Sequence, residues 1–186
     1  TAKILQQLPQ LQMISFWATD YSYIDMAAAR QHKIVVSHVP AYAGIAVAEF
    51  TIGIMLSLAR PIKTAEQSVH QGEYRWQPFE GVELHGKTIG LIGIGHIGSH
   101  IAKLGTAFGM HVLAYAKNMT EERGQQLQVS FRDLPQLLQQ SDFITIQIPF
   151  SNETQTLIGK EELSLMKKTA YIISTSRPEI IDQQAL

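Results

Sequence analysis

Three glycines with the spacing G-x-G-x-x-G come directly after an apolar run at residues 88–92; they are Gly93, Gly95 and Gly98. A turn of this kind at the start of a helix presents free backbone N–H groups, which bind phosphate. Residues 99–108 carry apolar side chains at helical spacing, so the glycines stand where a strand passes into a helix. Alone, the motif also suits a flexible turn. In this context it predicts a pyrophosphate-binding turn that includes His96 and Ile97.

The elements around the glycine turn alternate between strands and helices. Apolar and β-branched runs predict strands at residues 11–16, 34–39, 88–92, 111–116, 129–131, 143–148 and 170–175. Helical character predicts helices at residues 24–30, 43–60, 62–72, 99–108, 120–127, 134–140 and 161–167. This alternation predicts an α/β fold with a doubly wound parallel sheet, whose ligands bind beyond the carboxyl ends of the strands.

The helix predicted at residues 43–60 is apolar almost all round. Such a helix is expected to be buried on most sides, either inside a domain or across a subunit interface. Glu49 is then a buried carboxylate that needs a partner, which indicates a structural role. The apolar stretch is shorter than the ~20 residues that cross a bilayer, so no membrane span is predicted. Pro61 is expected to kink or end the helix.

Composition narrows the classes of function. The 186 residues carry a formal net charge of −1 and no cluster of Lys or Arg, so neither nucleic acid nor an anionic membrane is expected as a partner. The absence of cysteine excludes disulfides and thiolate metal sites and favours a cytoplasmic location. The remaining histidines, among them His38, His100 and His111, show no ligand motif such as H-E-x-x-H, so no metal is predicted. Residues 1–12 lack the apolar run of a secretory leader.

Several separated stretches agree in order and spacing with one known family. They are residues 24–25, 27–29, 47–49, 84–90, the glycine turn, and residues 107–110, 141–143, 157–159, 174–177 and 181–182. On these motifs, which cover nearly the whole chain, the sequence resembles the D-isomer-specific 2-hydroxyacid dehydrogenases. The resemblance implies hydride transfer between a nicotinamide cofactor and a D-2-hydroxy acid or 2-keto acid.

The resemblance also implies a division into domains. Residues 1–42 would be an incomplete part of a flavodoxin-like substrate domain, and residues 43–186 a Rossmann dinucleotide-binding domain, incomplete at its C-terminal end. The active site would lie between the two domains. The long apolar helix would serve in a homodimer, as it commonly does in such enzymes.

Arg177 and Thr19 are the residues that the resemblance assigns to the substrate. Arg177 matches the catalytic arginine, whose fork of donors suits the carboxylate and keto oxygen of a 2-keto acid. Thr19 lies in the loop that offers backbone amides to the carboxylate. Two departures from the family pattern weaken the match: Pro178 and Glu179 replace glycines, and Asp20 adds negative charge beside an anionic substrate. Arg177 as an ordinary surface arginine remains the alternative.

The cofactor contacts lie at the ends of other predicted strands. The resemblance places Ile148 and Pro149, together with Thr175 and Ser176, beside the nicotinamide, and His96 near the pyrophosphate or in an exposed turn. The strand that ends at Ala116 would normally carry an acid there for the ribose hydroxyls of NAD. Because Ala116 and then Lys117 stand at this point, both NAD and NADP remain open as cofactors.

The acid/base histidine of the family and its glutamate come after the arginine, and no histidine here matches that role. We therefore expect the chain to be a fragment of an active dehydrogenase. The alternative is a non-catalytic dinucleotide-binding protein, a sensor or corepressor of the same fold. The sequence does not identify the 2-hydroxy acid.

Overall fold

In the computed structural model, which describes residues 2–19, 21 and 23–186, the chain divides into two units, Thr1–Gly44 and Ile45–Leu186. The first unit contains α1 (Ala2–Gln6), β1 (Met13–Phe16), α2 (Met26–Gln31) and β2 (Val35–His38). Its two strands pair in parallel. The Asp25 side chain begins α2 by accepting from the Ala28 N–H at 2.9 Å. The predicted strand, helix and strand are confirmed, whereas α1, which buries only Leu5, was not predicted.

The second unit is built on a five-stranded parallel sheet. Its elements are α3 (Gly44–Ala59), α4 (Ile62–His70), β3 (Thr88–Ile92), α5 (His96–Ala107), β4 (His111–Tyr115), α6 (Glu121–Leu127), β5 (Ser130–Phe131), α7 (Leu134–Gln140), β6 (Phe143–Ile146), α8 (Lys160–Leu165) and β7 (Tyr171–Ser174), with short 3₁₀ helices at Gln77–Phe79 and Pro178–Ile180. The strand order is β5-β4-β3-β6-β7. The chain thus winds outward from β3 in both directions, which confirms the predicted doubly wound Rossmann sheet.

Both faces of this sheet are covered, as a parallel sheet requires. Alternate residues of β3 enter different cores: Ile89 and Leu91 pack in one cluster with Met55 of α3 and Ile101 of α5. Ile92 packs in the other cluster, together with the buried leucines of α7 and with Ile158. The sheet therefore holds the carboxyl end of β3 between two packed layers and fixes the position of the turn that follows.

The helix α3 departs from the prediction of burial on most sides. Its buried residues include Ala48, Ile52 and Met55, but Phe50 is 64% exposed. Glu49 is exposed, so the prediction that it is a buried carboxylate was wrong. An apolar composition all round the helix does not distinguish a covered face from an uncovered one, and in this chain the contacts form on one side.

Pro61 separates α3 from α4, which confirms the predicted break. The two helices are bent by 64° relative to each other. Among the helices that the structure describes, none is by itself long and apolar enough to span a membrane, and only this bent pair satisfies both criteria when taken together.

Asp142 joins three elements at the amino ends of the strands. Its carboxylate accepts from the Thr88 N–H at 2.9 Å and from Lys167 Nζ at 2.8 Å. Partial burial acts to raise the pKa of Asp142, but the bonds from Lys167 and Thr88 outweigh it, so the pKa lies below its ordinary value. The start of β3 is thus tied to the turn that precedes β7.

Candidate cofactor and substrate site

Glycine stands at each of the three positions of the turn for a different structural reason. Gly93 has a φ of +102°, and a Cβ there would lie 2.7 Å from Ile148 Cγ2. A Cβ on Gly98 would lie 2.3 Å from the Gly93 carbonyl oxygen, so glycine allows α5 to pack closely on the turn. A Cβ on Gly95 would meet no atom within 4 Å. Packing requires glycine at the first and third positions, whereas Gly95 leaves open space for a ligand to approach the backbone.

The amino end of α5 faces this open space. The helix begins at His96, directly after Gly95, and no side chain caps it by a hydrogen bond. Its first N–H groups and the positive end of its dipole are available to an anion, so the turn fits a pyrophosphate. His96 is exposed, and its ring meets the His100 ring edge-on with centroids 5.0 Å apart. Ile97 is partly buried and packs against the core.

An ion pair lies at the end of the neighbouring strand β4. Ala116, the residue after β4, is half-buried, and Lys117 is exposed. Lys117 Nζ lies 2.5 Å from Glu153 Oε2, which belongs to the loop after β6. This hydrogen bond, and then the attraction between the two charges, raises the pKa of Lys117 and lowers the pKa of Glu153. The strand β4 itself has no acidic side chain at this point, but the loop after β6 supplies one, Glu153.

Arg123 of α6 connects the loop after β4 with the glycine turn. Its Nη2 donates to the Ile94 carbonyl at 2.9 Å, and its Nη1 donates to the Asn118 carbonyl at 2.5 Å. The guanidinium also lies 5.8 Å from the centre of the Phe131 ring. One side chain therefore holds both loops at the carboxyl end of β3 and β4.

Hydrogen bonds also join the loops after β6 and β7. Gln147 Nε2 donates to Thr175 Oγ1 at 2.8 Å, and Ser176 Oγ donates to the Ile148 carbonyl at 2.5 Å. Pro149, the next residue, is exposed. Three of the four residues predicted to border a nicotinamide, Ile148, Thr175 and Ser176, are thus brought together at one edge of the sheet.

Arg177 follows β7 at the same edge. Its backbone is extended, with φ −76° and ψ 137°, as Pro178 predicts. Its guanidinium contacts the Glu179 carboxylate, with Nη2 3.2 Å from Oε1 and Nε 3.4 Å from Oε2. This pairing lowers the pKa of Glu179. The face of Arg177 that suits a carboxylate is therefore already in contact with one.

Thr19 belongs to the first unit, where it is exposed in the segment after β1. The Ala18 carbonyl before it accepts from the Val39 N–H at 3.3 Å. Asp20 lies outside the described residues. The role of Thr19 in substrate binding therefore stays a prediction.

The sequence reasoning missed Gln147, Glu153 and Arg123. Gln147 carried a signal, because it is a polar residue near the carboxyl end of the strand predicted at residues 143–148, and ligands bind at that edge of a parallel sheet. Glu153 lies 36 residues from Lys117, and Arg123 lies 29 residues from Ile94, so neither contact follows from local spacing.

Two further features bear on ligands. Within residues 2–19, 21 and 23–186, no three His, Asp or Glu side chains are grouped so that they could hold a metal ion. A cavity of about 720 Å³ lies along α6 and the edge strand β5, lined by residues such as Met110, Gly124 and Phe131. The residues that line this cavity do not include the glycine turn or the loops after β6 and β7.

Comparison with known proteins assigns the chain to a family. The family model for the NAD binding domain of the D-isomer specific 2-hydroxyacid dehydrogenases matches residues 52–186. A glyoxylate reductase from Aeropyrum pernix is 38% identical over 190 residues, which cover 98% of this chain and 57% of that relative.

Solved structures agree with this assignment. A D-lactate dehydrogenase from Aquifex aeolicus, complexed with NAD and lactic acid, matches all of this chain and 56% of its own, with 34% identity and a TM-score of 0.89. An acyclic imino acid reductase in complex with NADPH and D-Arg matches all of this chain and 59% of its own, with 32% identity and a TM-score of 0.87. The chain spans little more than half the length of these relatives. It belongs to the D-isomer-specific 2-hydroxyacid dehydrogenase family and contains that family's NAD-binding domain.

Proposed function

We propose that the protein is an oxidoreductase that transfers a hydride between NAD(P) and a D-2-hydroxy acid or 2-keto acid pair. The observation that carries this proposal is the glycine turn: Gly95 opens onto free space in front of an uncapped helix, at the point where the sheet winds in both directions. Membership of the dehydrogenase family supports the reaction class.

The cofactor would lie across the carboxyl ends of the strands. The turn at Gly93, Gly95 and Gly98, with His96 and Ile97, binds the pyrophosphate; Ala116 and Lys117 face the adenosine ribose. Ile148 and Pro149, with Thr175 and Ser176, would border the nicotinamide, and hydrogen bonds join the two loops that carry them. The nicotinamide, when bound, carries the hydride.

Arg177 would bind and polarise the 2-keto acid. Its guanidinium offers parallel donors to a carboxylate and a keto oxygen. Because Glu179 contacts the same guanidinium, a substrate carboxylate must replace or share that contact. We assign Thr19 to binding of the substrate carboxylate, as the resemblance to the family implies. In the family a histidine, held by a glutamate, supplies the proton, and no histidine of this chain matches that position.

Titration of the protein with NADH and with NADPH, followed by nicotinamide fluorescence, tests the proposal. Both cofactors should bind, and NADPH should bind at least as tightly as NADH, because Ala116 removes the acid that would repel a 2′-phosphate and Lys117 adds a cation. A strong preference for NADH would refute the role of Lys117. Failure of both cofactors to bind would refute the dinucleotide-binding function itself.

A second candidate function is a non-catalytic sensor or corepressor that binds a dinucleotide. The contact between Glu179 and Arg177 favours it, since this contact occupies the group that a substrate needs. Reduction of glyoxylate or pyruvate by the protein with either cofactor separates the two candidates. Cofactor binding without turnover of any 2-keto acid would favour the sensor.

We also propose that the protein is a cytoplasmic homodimer and that its ligands are small molecules. The exposed apolar side of α3, which includes Ile45, Phe50 and Leu58, is the surface that we assign to the dimer. Neither nucleic acid nor a membrane is proposed as a partner.

A further inference from the structure

The ion pair between Lys117 and Glu153 crosses the place where the cofactor is proposed to bind, and the inference below rests on that proposed binding. Lys117 follows β4 and Glu153 follows β6, while β3 lies between these two strands in the sheet. The pair therefore spans the carboxyl end of β3, from which the glycine turn begins. A dinucleotide whose pyrophosphate lies on that turn has its adenosine ribose near the end of β4.

Both partners of the pair stand on loops that other contacts hold in place. The loop with Lys117 is held by Arg123, which donates to the Asn118 carbonyl at 2.5 Å. The turn with Glu153 is held by Thr154, whose Oγ1 accepts from the Ser151 N–H at 2.8 Å and donates to the Pro149 carbonyl at 2.9 Å. The 2.5 Å contact thus joins two side chains that extend from loops held by other hydrogen bonds.

Glu153 and a 2′-phosphate would require the same ammonium group. A phosphate on the ribose brings acceptor oxygens and negative charge to Lys117, whereas the hydroxyl of NAD brings neither charge nor a comparable acceptor. The Glu153 carboxylate occupies Lys117, the cation that the phosphate would contact. Its effect on a neutral ribose hydroxyl is small, and its oxygens can accept from that hydroxyl.

We propose that Glu153 is a specificity-determining residue that limits the affinity for NADP(H) by competing with the 2′-phosphate for Lys117. The pair is exposed, with 87% of the Lys117 side chain and 72% of the Glu153 side chain accessible. Exposed pairs of this kind are weak, so a phosphate can displace the carboxylate. The chain therefore accepts both cofactors, and Glu153 sets the ratio of their affinities.

The experiment compares Glu153→Gln with the unchanged protein in parallel titrations with NADH and NADPH at low and high salt. The substitution should strengthen NADPH binding about fivefold, the scale of one exposed ion pair, and leave NADH binding within about twofold. The gain should decrease at high salt, because salt screens exposed charges. Glu161→Gln, which removes the same charge at the start of α8, should change neither affinity.

A double substitution then tests whether Glu153 acts through Lys117. In the Lys117→Gln background, Glu153→Gln should no longer strengthen NADPH binding, because the competed cation is gone. An equal gain in that background, an equal change for both cofactors, or no change in the NADPH to NADH ratio would each overturn the proposal. If the unchanged protein binds neither NADH nor NADPH, the proposed cofactor site itself is wrong, so the two failures are distinguishable. Circular dichroism of each variant verifies that it is folded.

Discussion

At the scale of single residues, Gly95 and Gly98 lie in the same turn but have opposite surroundings. A methyl group on Gly95 would project into open space, and one on Gly98 would lie 2.3 Å from the Gly93 carbonyl. Packing within the chain therefore does not require glycine at residue 95, but it does require glycine at residue 98.

We expect Gly95→Ala to leave the melting temperature nearly unchanged and to weaken NADH binding about tenfold, because the methyl group obstructs the approach of the pyrophosphate. Gly98→Ala should instead lower the free energy of unfolding by about 2 kcal/mol through overpacking. Thermal denaturation and cofactor titration of both variants provide the two measurements. A Gly95 variant that unfolds early but retains its affinity would contradict this assignment.

At this scale the sequence predicts the glycine turn and the extended backbone of Arg177, since both depend on near neighbours along the chain. It does not predict the contact between Lys117 and Glu153, which requires two loops to meet across β3. The pairing of Glu179 with Arg177 lies within two residues, yet only the direction of the side chains reveals it.

At the scale of elements, Asp142 connects the start of β3 with the segment before β7 through Thr88 and Lys167. The two bonds stabilise the ionised carboxylate, so they contribute fully to folding stability only while Asp142 is charged. The contribution is present above the ordinary pKa of 3.8 and is lost as the pH falls through the lowered pKa of the folded state.

Asp142→Asn is expected to lower the free energy of unfolding by about 1–2 kcal/mol near neutral pH, because it removes hydrogen bonds to a charged acceptor. The difference from the unchanged protein should shrink as the pH falls from 3.8 through the lowered pKa of folded Asp142, because the carboxylate then takes up a proton and loses its charge. Urea unfolding at several pH values measures this, with Glu80→Gln as a control for the loss of one negative charge. A difference that is independent of pH would mean that Asp142 acts through packing alone.

The element bounds agree with the sequence where the hydrophobic period is strong. The predicted helix at residues 134–140 is observed at Leu134–Gln140, whereas the strand predicted at residues 143–148 ends at Ile146. Apolar residues continue past Ile146, but Gln147 and Ile148 turn toward the contacts with Thr175 and Ser176. The spacing of hydrophobic residues along the sequence therefore predicts which helices and strands exist, whereas long-range contacts determine where they end.

At the scale of the whole molecule, the exposed side of α3 bears on assembly. Phe50 is 64% exposed and Ile45 59% exposed on a helix whose opposite side is buried in the core. An apolar surface of this kind is typical of an interface between proteins. Sequence composition indicated an apolar helix but could not distinguish a helix in a domain core from one in a subunit contact.

Phe50→Glu should convert the proposed homodimer into a monomer, because it places a charge in an apolar contact. Tyr74→Glu, which introduces the same charge at a residue that is 83% exposed outside α3, should leave the assembly unchanged. Sedimentation velocity of both variants distinguishes the two states. If the unchanged protein sediments as a monomer, the proposed dimer is wrong.

The position of Arg123 has a consequence for how the cofactor site responds to substitution. Its guanidinium donates to the Ile94 carbonyl in the glycine turn and to the Asn118 carbonyl in the loop after β4. These two parts of the site are therefore mechanically coupled through one side chain on α6. We expect a substitution that displaces one of these loops to displace the other through Arg123, so the proposed phosphate and ribose contacts should respond together rather than independently.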